Sequence, residues 1–179
     1  VDYSNIIIDM LLLNPKETNF ANITYTSCSM KRCVQIALER YPFSSASQRN
    51  LVVFHDSQDF NFTGSEIMTV HVLFNLIKNA IRAVSSAHKG DIQIRLERGK
   101  ESNTLRVRDT GLGIPPEILP HIFERFYSWS HVHGVLDGTG VGLAFCKTAV
   151  ESCGGKITCD SVFGEYTELV LAFPAGVTS

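Results

Sequence analysis

The chain lacks a Cys-x-x-Cys pair, a run of basic residues and an internal repeat. Each absence excludes a class of function. The five cysteines (Cys28, Cys33, Cys146, Cys153, Cys159) are odd in number and without metal-ligand spacing, so neither a disulfide framework nor a zinc site follows, and reduced, packed thiols are expected. Sixteen Lys+Arg stand against 18 Asp+Glu, and a formal net charge of -2 leaves no footprint for duplex nucleic acid and no basic patch for a membrane surface. Any polyphosphate must be held by local geometry. The longest early apolar run, Ile6 to Leu13, is interrupted by Asp9 and falls far short of the roughly 20 residues of a spanning helix. The first residue is Val1 and no signal-peptide pattern follows it, so a piece of a longer protein, itself not membrane-spanning, is expected.

What is present is a core. Hydrophobic residues make up 44% and charged residues 19%, the profile of one main globular domain. Asp2 to Leu13 reads as a helix ended by Asn14-Pro15, because proline disfavours helical geometry in the residue before it. A second helix is expected from Met30 to Tyr41, a loop over Ser44 to Asn50 and a strand over Leu51 to Phe54. Thr63-Gly64-Ser65-Glu66 has capping-box spacing, with Phe62 and Ile67 placed as a hydrophobic staple for the helix that follows. In that helix Leu73, Leu76, Ile77, Ala80, Ile81 and Val84 form one continuous apolar face, while Asn75, Asn79, Arg82 and Ser86 form a separate stripe. Asp91 to Glu97 and Leu105 to Arg108 alternate with period two across Gly99 to Asn103, the pattern of a hairpin. Leu143 to Ser152 reads as a helix ended by Gly154-Gly155, and Lys156 to Ser161 with Tyr166 to Phe173 as a last hairpin. The fold class is therefore α+β, with helices on one face of a largely antiparallel sheet.

Three separated stretches look like parts of one nucleotide site. They are Asn75 to Ala80 on the long helix, Asp109-Thr110-Gly111-Leu112-Gly113 at a strand end, and Gly138-Thr139-Gly140-Val141-Gly142 opening another helix. A glycine-rich turn alone is weak, since many turns that bind nothing need positive φ or close backbone approach. The combination carries the reading. A helix start preceded by glycines directs backbone N–H groups and the positive end of the helix dipole at phosphate oxygens.

On these residues the chain resembles the catalytic, ATP-binding domain of bacterial sensor histidine kinases, of the superfamily shared with DNA gyrase, the Hsp90 chaperone and the mismatch-repair ATPase MutL. Asn75 to Ala80 is similar to the family's N box, Asp109 to Gly113 to its first glycine box, Phe123-Glu124-Arg125-Phe126 to its F box and Gly138 to Gly142 to its second glycine box. The C-terminal run through Ala144 to Lys147, Gly154 to Ile157 and Gly164 to Thr167 also resembles hybrid quorum-sensing kinases. The resemblance implies a two-layer α/β sandwich, the Bergerat ATP-binding fold, with a flexible lid over about Ile114 to Asp137. It implies residues 1–27 as the end of an upstream dimerisation helix and linker, 28–175 as the catalytic domain and 176–179 as a tail. Its further implications are ATP and Mg²⁺ as cofactors, and as partners a histidine-bearing dimerisation domain of the same protein and a downstream receiver domain or response regulator. The place implied is the cytoplasmic portion of an inner-membrane sensor kinase.

Chemistry assigns roles within that frame. Asn79 is the expected Mg²⁺ ligand, a hard carboxamide oxygen completed by phosphates and waters, with Asn75 one turn earlier on the same side. Asp109 is expected to accept the exocyclic amine of adenine, where guanine would offer a repelling carbonyl. Gly111 and Gly113 would let the backbone pass close to base and sugar; Gly138, Gly140 and Gly142 would present backbone N–H groups to phosphates; Arg82 and Arg125 would add cations; and the resemblance implies Thr139, Val141, Leu143 and Thr167 as further nucleotide-binding residues. His131 and His133 have no third ligand nearby and read as a polar loop.

In hydrolytic members of the superfamily a glutamate four residues before the metal asparagine acts as general base, and here that position is Asn75. A carboxamide has no useful basicity near neutral pH. A nucleophile with its own lone pair, such as a neutral imidazole, is therefore expected, and no histidine here has the flanking pattern of an acceptor helix. Departures from the family pattern are Ser128 after Tyr127, where arginine is usual, and Tyr166 in place of the last box's second glycine. The alternatives are a nucleotide-independent pseudokinase module that biases a kinase/phosphatase balance, and an autonomous ATPase.

Overall fold

In the computed structural model, residues 23–56, 58–125, 127 and 140–176 are described. The elements in chain order are β1 (Thr26–Ser29), α1 (Met30–Arg40), α2 (Ala46–Asn50), β2 (Val52–His55), β3 (Asn61–Gly64), α3 (Glu66–Ala87), β4 (Ile92–Glu97), β5 (Ser102–Asp109), α4 (Gly142–Ser152), β6 (Lys156–Val162) and β7 (Tyr166–Pro174). The expected helix over Asp2 to Leu13 lies outside the described residues.

The main sheet has five strands in the order β2-β4-β5-β7-β6. Strands β2 and β4 pair in parallel, and every other neighbouring pair in this sheet is antiparallel. Period-two alternation decides which face is covered. Ile92, Ile94 and Leu96 of β4, Leu105 and Val107 of β5, and Leu169, Leu171 and Phe173 of β7 are buried, whereas Arg95, Arg106 and Arg108 stand on the other face. Helices α1, α3 and α4 cover the apolar face, with α3 packed against both other helices and against β4 and β5. This is the α+β, two-layer arrangement that the sequence leads one to expect.

Helix α3 is the centre of the core. Leu73, Leu76, Ile77, Ala80, Ile81 and Val84 are all buried, and so are Met68, Val70 and Val72 nearer its start. By length and composition this helix could cross a bilayer, yet most of its apolar surface is covered by its neighbours in the fold. It ends at His88, whose φ of 52° and ψ of 28° make a left-handed cap. All five cysteines are unpaired, and Cys28, Cys33 and Cys146 are buried, as packed thiols should be.

Several local expectations need correction. The cap of α3 is Ser65, whose hydroxyl accepts the Met68 N–H at 3.4 Å, and Thr63 lies instead in β3. The capping box therefore does not form. Phe62 packs into the core against Phe173, with ring centroids 4.8 Å apart, while Ile67 is exposed, so there is no staple either. The stretch Ser44 to Asn50, expected as loop, contains α2, capped by Ser45 through Gln48 N–H at 3.1 Å. Strands β1 and β3 form a two-stranded antiparallel ribbon that local pattern did not disclose. Helix α1 stops at Arg40 with Tyr41 as its cap, and α4 begins one residue early, at Gly142.

Candidate nucleotide-binding site

Helix α3 acts as a ruler along which the motifs are arranged. Asn75 sits opposite the start of α4: a side-chain carbon on Gly142 would lie 2.6 Å from Asn75 Oδ1. Asn75 Nδ2 donates back to His71 O at 3.1 Å, which fixes the carboxamide with its oxygen toward Gly142. Two turns on, Leu112 N–H donates to Ala83 O at 3.1 Å, and a Cβ on Gly111 would lie 2.4 Å from the Ala83 carbonyl carbon. At 1.5 Å of rise per residue, Asn75 and Ala83 are about 12 Å apart along the axis, on the length scale of an extended nucleoside triphosphate. Asn79 lies midway, half-buried. Among the described residues no hydrogen bond engages its carboxamide.

Asp109 ends β5 and is buried, 5% exposed. Its Oδ1 accepts Gly111 N–H at 3.1 Å, the one hydrogen bond its side chain makes among the described residues. Burial pushes the carboxyl up to about 6 from 3.8, against the smaller opposing pulls of the Gly111 N–H and the Arg108 charge. A buried carboxylate with one donor has unused acceptor capacity, which is costly unless a further donor arrives. Thr167 of β7 is the Cα partner of Asp109 and is likewise buried, on the same face. Thr110, next in the chain, turns away: its hydroxyl donates to Asp91 Oδ1 at 2.9 Å.

The glycines of the first box are required by the chain's own backbone. Gly111 lies flush on Ala83, and Gly113, with φ of 69°, lies against Val162 O, 2.2 Å from where its Cβ would be. In the second box, Gly140 has φ of 64°, and Val141 caps α4 without any side-chain hydrogen bond, so among the described residues no capping side chain occupies the acceptor position facing the first-turn N–H groups. Leu143 is half-buried and packs on the core. Gly138 and Thr139 lie outside the described residues.

The remaining cations sit differently. Arg82 is half-buried on α3, close enough to Tyr41 for its charge to draw that phenol down while burial, the larger influence, raises it. Arg125 is exposed at the end of the described Ile114–Arg125 segment. In that segment Ile118 and Ile122 are buried and Phe123 packs against the core; Phe126 and 128–139, which hold the rest of the expected lid with His131 and His133, lie outside the described residues. No group of His, Cys, Asp or Glu among the described residues could hold a metal alone. The half-buried carboxamide of Asn79 offers a hard oxygen of the kind Mg²⁺ takes when phosphates and waters complete its shell.

The sheet and helices with one buried acid and a glycine-lined helix start define the class. Residues 64–177, more than half of the chain, match the family described as histidine kinase-, DNA gyrase B-, and HSP90-like ATPase, and the chain belongs to that family. It is 35% identical over 170 residues to CqsS of Vibrio cholerae, a CAI-1 autoinducer sensor kinase/phosphatase, covering 95% of this chain and 24% of that protein. To LuxN of Vibrio harveyi, an autoinducer 1 sensor kinase/phosphatase, it is 32% identical over 168 residues, covering 94% and 19%. The chain thus spans about a quarter or less of the length of these curated relatives. Among solved structures, a mycobacterial sensor histidine kinase, MprB, superposes with a TM-score of 0.68 at 23% identity over 84% of this chain and 97% of the other. The catalytic domain of histidine kinase ThkA does so with 0.69, also at 23% identity, over 85% and 96%. At that identity the likeness is one of fold.

Sequence reading passed over Ser161, which sits beside Thr167 and Ile114. The signal was available. Ser161 and Thr167 lie symmetrically about Gly164, the turn residue of the last hairpin, and so face one another.

Proposed function

We propose that this chain binds Mg-ATP along α3, between the β5–β7 end of the sheet and the start of α4, and donates the γ-phosphoryl to a histidine on a separate dimerisation domain of the same protein. The observation that carries the reading is Asp109, a buried carboxylate with spare acceptor capacity at the end of a strand. Adenine, with an amine where guanine has a carbonyl, supplies the donor this carboxylate lacks. In this reading Asn79 ligates the metal, Asn75 lines the phosphate end against Gly142, the first turn of α4 receives phosphate oxygens, and Arg82 and Arg125 add positive charge. Bound Mg²⁺ would offset charge on the phosphate oxygens; the chain's own contribution is to position and to exclude water, as phosphoryl transfer chiefly requires.

The relatives' names support two-component signalling, and two of them are autoinducer sensors, so quorum sensing is the signalling context proposed. A receiver domain or response regulator would then take the phosphoryl group, and the chain would lie on the cytoplasmic side of an inner-membrane sensor. In this assignment residues 28–175 are the catalytic domain, and 1–27 lead out of the dimerisation helix. Calorimetric titration with ATP and Mg²⁺ tests it: Asn79→Asp and Asp109→Asn should each weaken binding at least tenfold. Affinity unchanged in both variants would reject the site.

A further inference from the structure

We infer that Ser161 is a positioning residue that ties the Ile114–Arg125 segment to the base-recognition pair Asp109 and Thr167; the inference rests on the nucleotide reading above. The three residues Asp109, Thr167 and Ser161 form one lateral row across β5, β7 and β6, each the Cα partner of the next. Alternation places all three on the helix-covered face. The Ser161 hydroxyl has three neighbours: Tyr166 O at 2.6 Å, Ile114 N at 2.8 Å and Thr167 Oγ1 at 3.2 Å.

Proton counting fixes the direction of each bond. A serine hydroxyl has one proton and two acceptor positions. The Tyr166 carbonyl can only accept, so the Ser161 proton goes there, and Ser161 then accepts both the Ile114 N–H and the Thr167 hydroxyl proton. Thr167 is thereby held with its oxygen lone pairs free to face a donor arriving beside Asp109. The Ser161 oxygen also anchors Ile114, the residue at which the chain leaves the first glycine box.

The surrounding turn makes the link stiff. Gly164 N–H donates to Leu112 O at 2.7 Å, Lys89 Nζ donates to Gly164 O at 3.0 Å, and Gly113 lies against the Val162 carbonyl. The β6–β7 turn and the backbone from Leu112 to Ile114 therefore form one body, joined to β7 through the Ser161 hydroxyl. A base that engages Thr167 acts on the hydroxyl that holds Ile114.

Titration of the whole chain with Mg-ATP, combined with amide hydrogen exchange at Ile114, tests this. Ser161→Ala should weaken ATP binding roughly three- to tenfold, and Ser161→Thr, which keeps the hydroxyl on a strand, should restore it. ATP should slow exchange of the Ile114 amide in the unaltered chain but not in Ser161→Ala. The double variant Ser161→Ala/Thr167→Val should bind no more weakly than Thr167→Val alone, because one acts through the other. Unchanged affinity in Ser161→Ala, losses that multiply in the double variant, or ATP protection of Ile114 that survives the substitution would each overturn the role. If Ser161→Ala fails to fold, Ser161→Thr carries the test, and ATP protection at Ile114 differing from that of the unaltered chain would count against it. Failure of the unaltered chain to bind Mg-ATP would instead reject the nucleotide reading.

Discussion

Asp109, the proposed acceptor for adenine, works against the fold that carries it. Its carboxyl has an ordinary value of 3.8 and is raised to about 6 by burial. Between about pH 4 and pH 6 the folded chain retains a proton that the unfolded chain has already released, so stability falls as the pH rises through that window. The cost is complete above about pH 6 and absent below about pH 4. Asp109→Asn removes the charge and keeps an oxygen for the Gly111 N–H, so it should stabilise the fold by about 1–3 kcal/mol at pH 7.5. Thermal melts of both proteins at pH 7.5 and pH 4 check this: the gain should vanish at the lower pH, and a gain of equal size at both would show that ionisation is not its source. ATP affinity of the unaltered chain should fall below about pH 6, as the acceptor becomes a donor. The cysteines behave in the opposite functional sense. Burial pushes Cys33, Cys146 and Cys159 up to about 12, so their thiols stay protonated and inert at neutral pH, and nothing in the site uses them.

The element scale separates what periodicity discloses from what it cannot. Helix α3 and the two hairpins were legible because each carries a long, uninterrupted apolar period, and burial of that face is what stabilises them. The β1–β3 ribbon was not, since each strand has four residues and its partner lies beyond α1, α2 and β2, so no local pattern records the pairing. The missed ribbon also explains the misplaced cap: Thr63 satisfies the capping-box spacing, but it lies in β3, where pairing with Ser27 of β1 fixes it in extended backbone, and the helix waits until Ser65. Ser65→Ala should therefore cost about 1 kcal/mol in urea unfolding. Thr63→Ala should cost only a few tenths, through strand propensity; a larger loss at Thr63 would mean that the cap has been misassigned. Within the site, the order of the motifs was readable, whereas the reason for the glycines was not. A missing side chain does not announce its neighbour, and Gly111 and Gly113 turn out to face Ala83 and Val162.

At the scale of the whole molecule, the question is what the assembled site can do without another domain. The fold alone does not decide, because one scaffold supports hydrolysis, transfer or mere docking. The position one turn before Asn79 decides more. It holds Asn75, whose amide donates to His71 O and whose oxygen is turned toward Gly142, so no group at that place can take a proton from water. General-base assistance is worth about 10²–10⁴-fold, and its absence should leave hydrolysis slower by about that factor than in a site that carries a base at this position. Incubated with Mg-ATP, the chain should bind nucleotide without steady release of phosphate. Supplied in trans with a histidine-bearing dimerisation domain of its own parent protein, it should transfer the γ-phosphoryl, giving an acid-labile, base-stable phosphate on that domain. Steady turnover without the partner would show that Asn75 does not set the outcome. Binding without transfer to any such domain would favour a docking module that uses the nucleotide only to hold its shape.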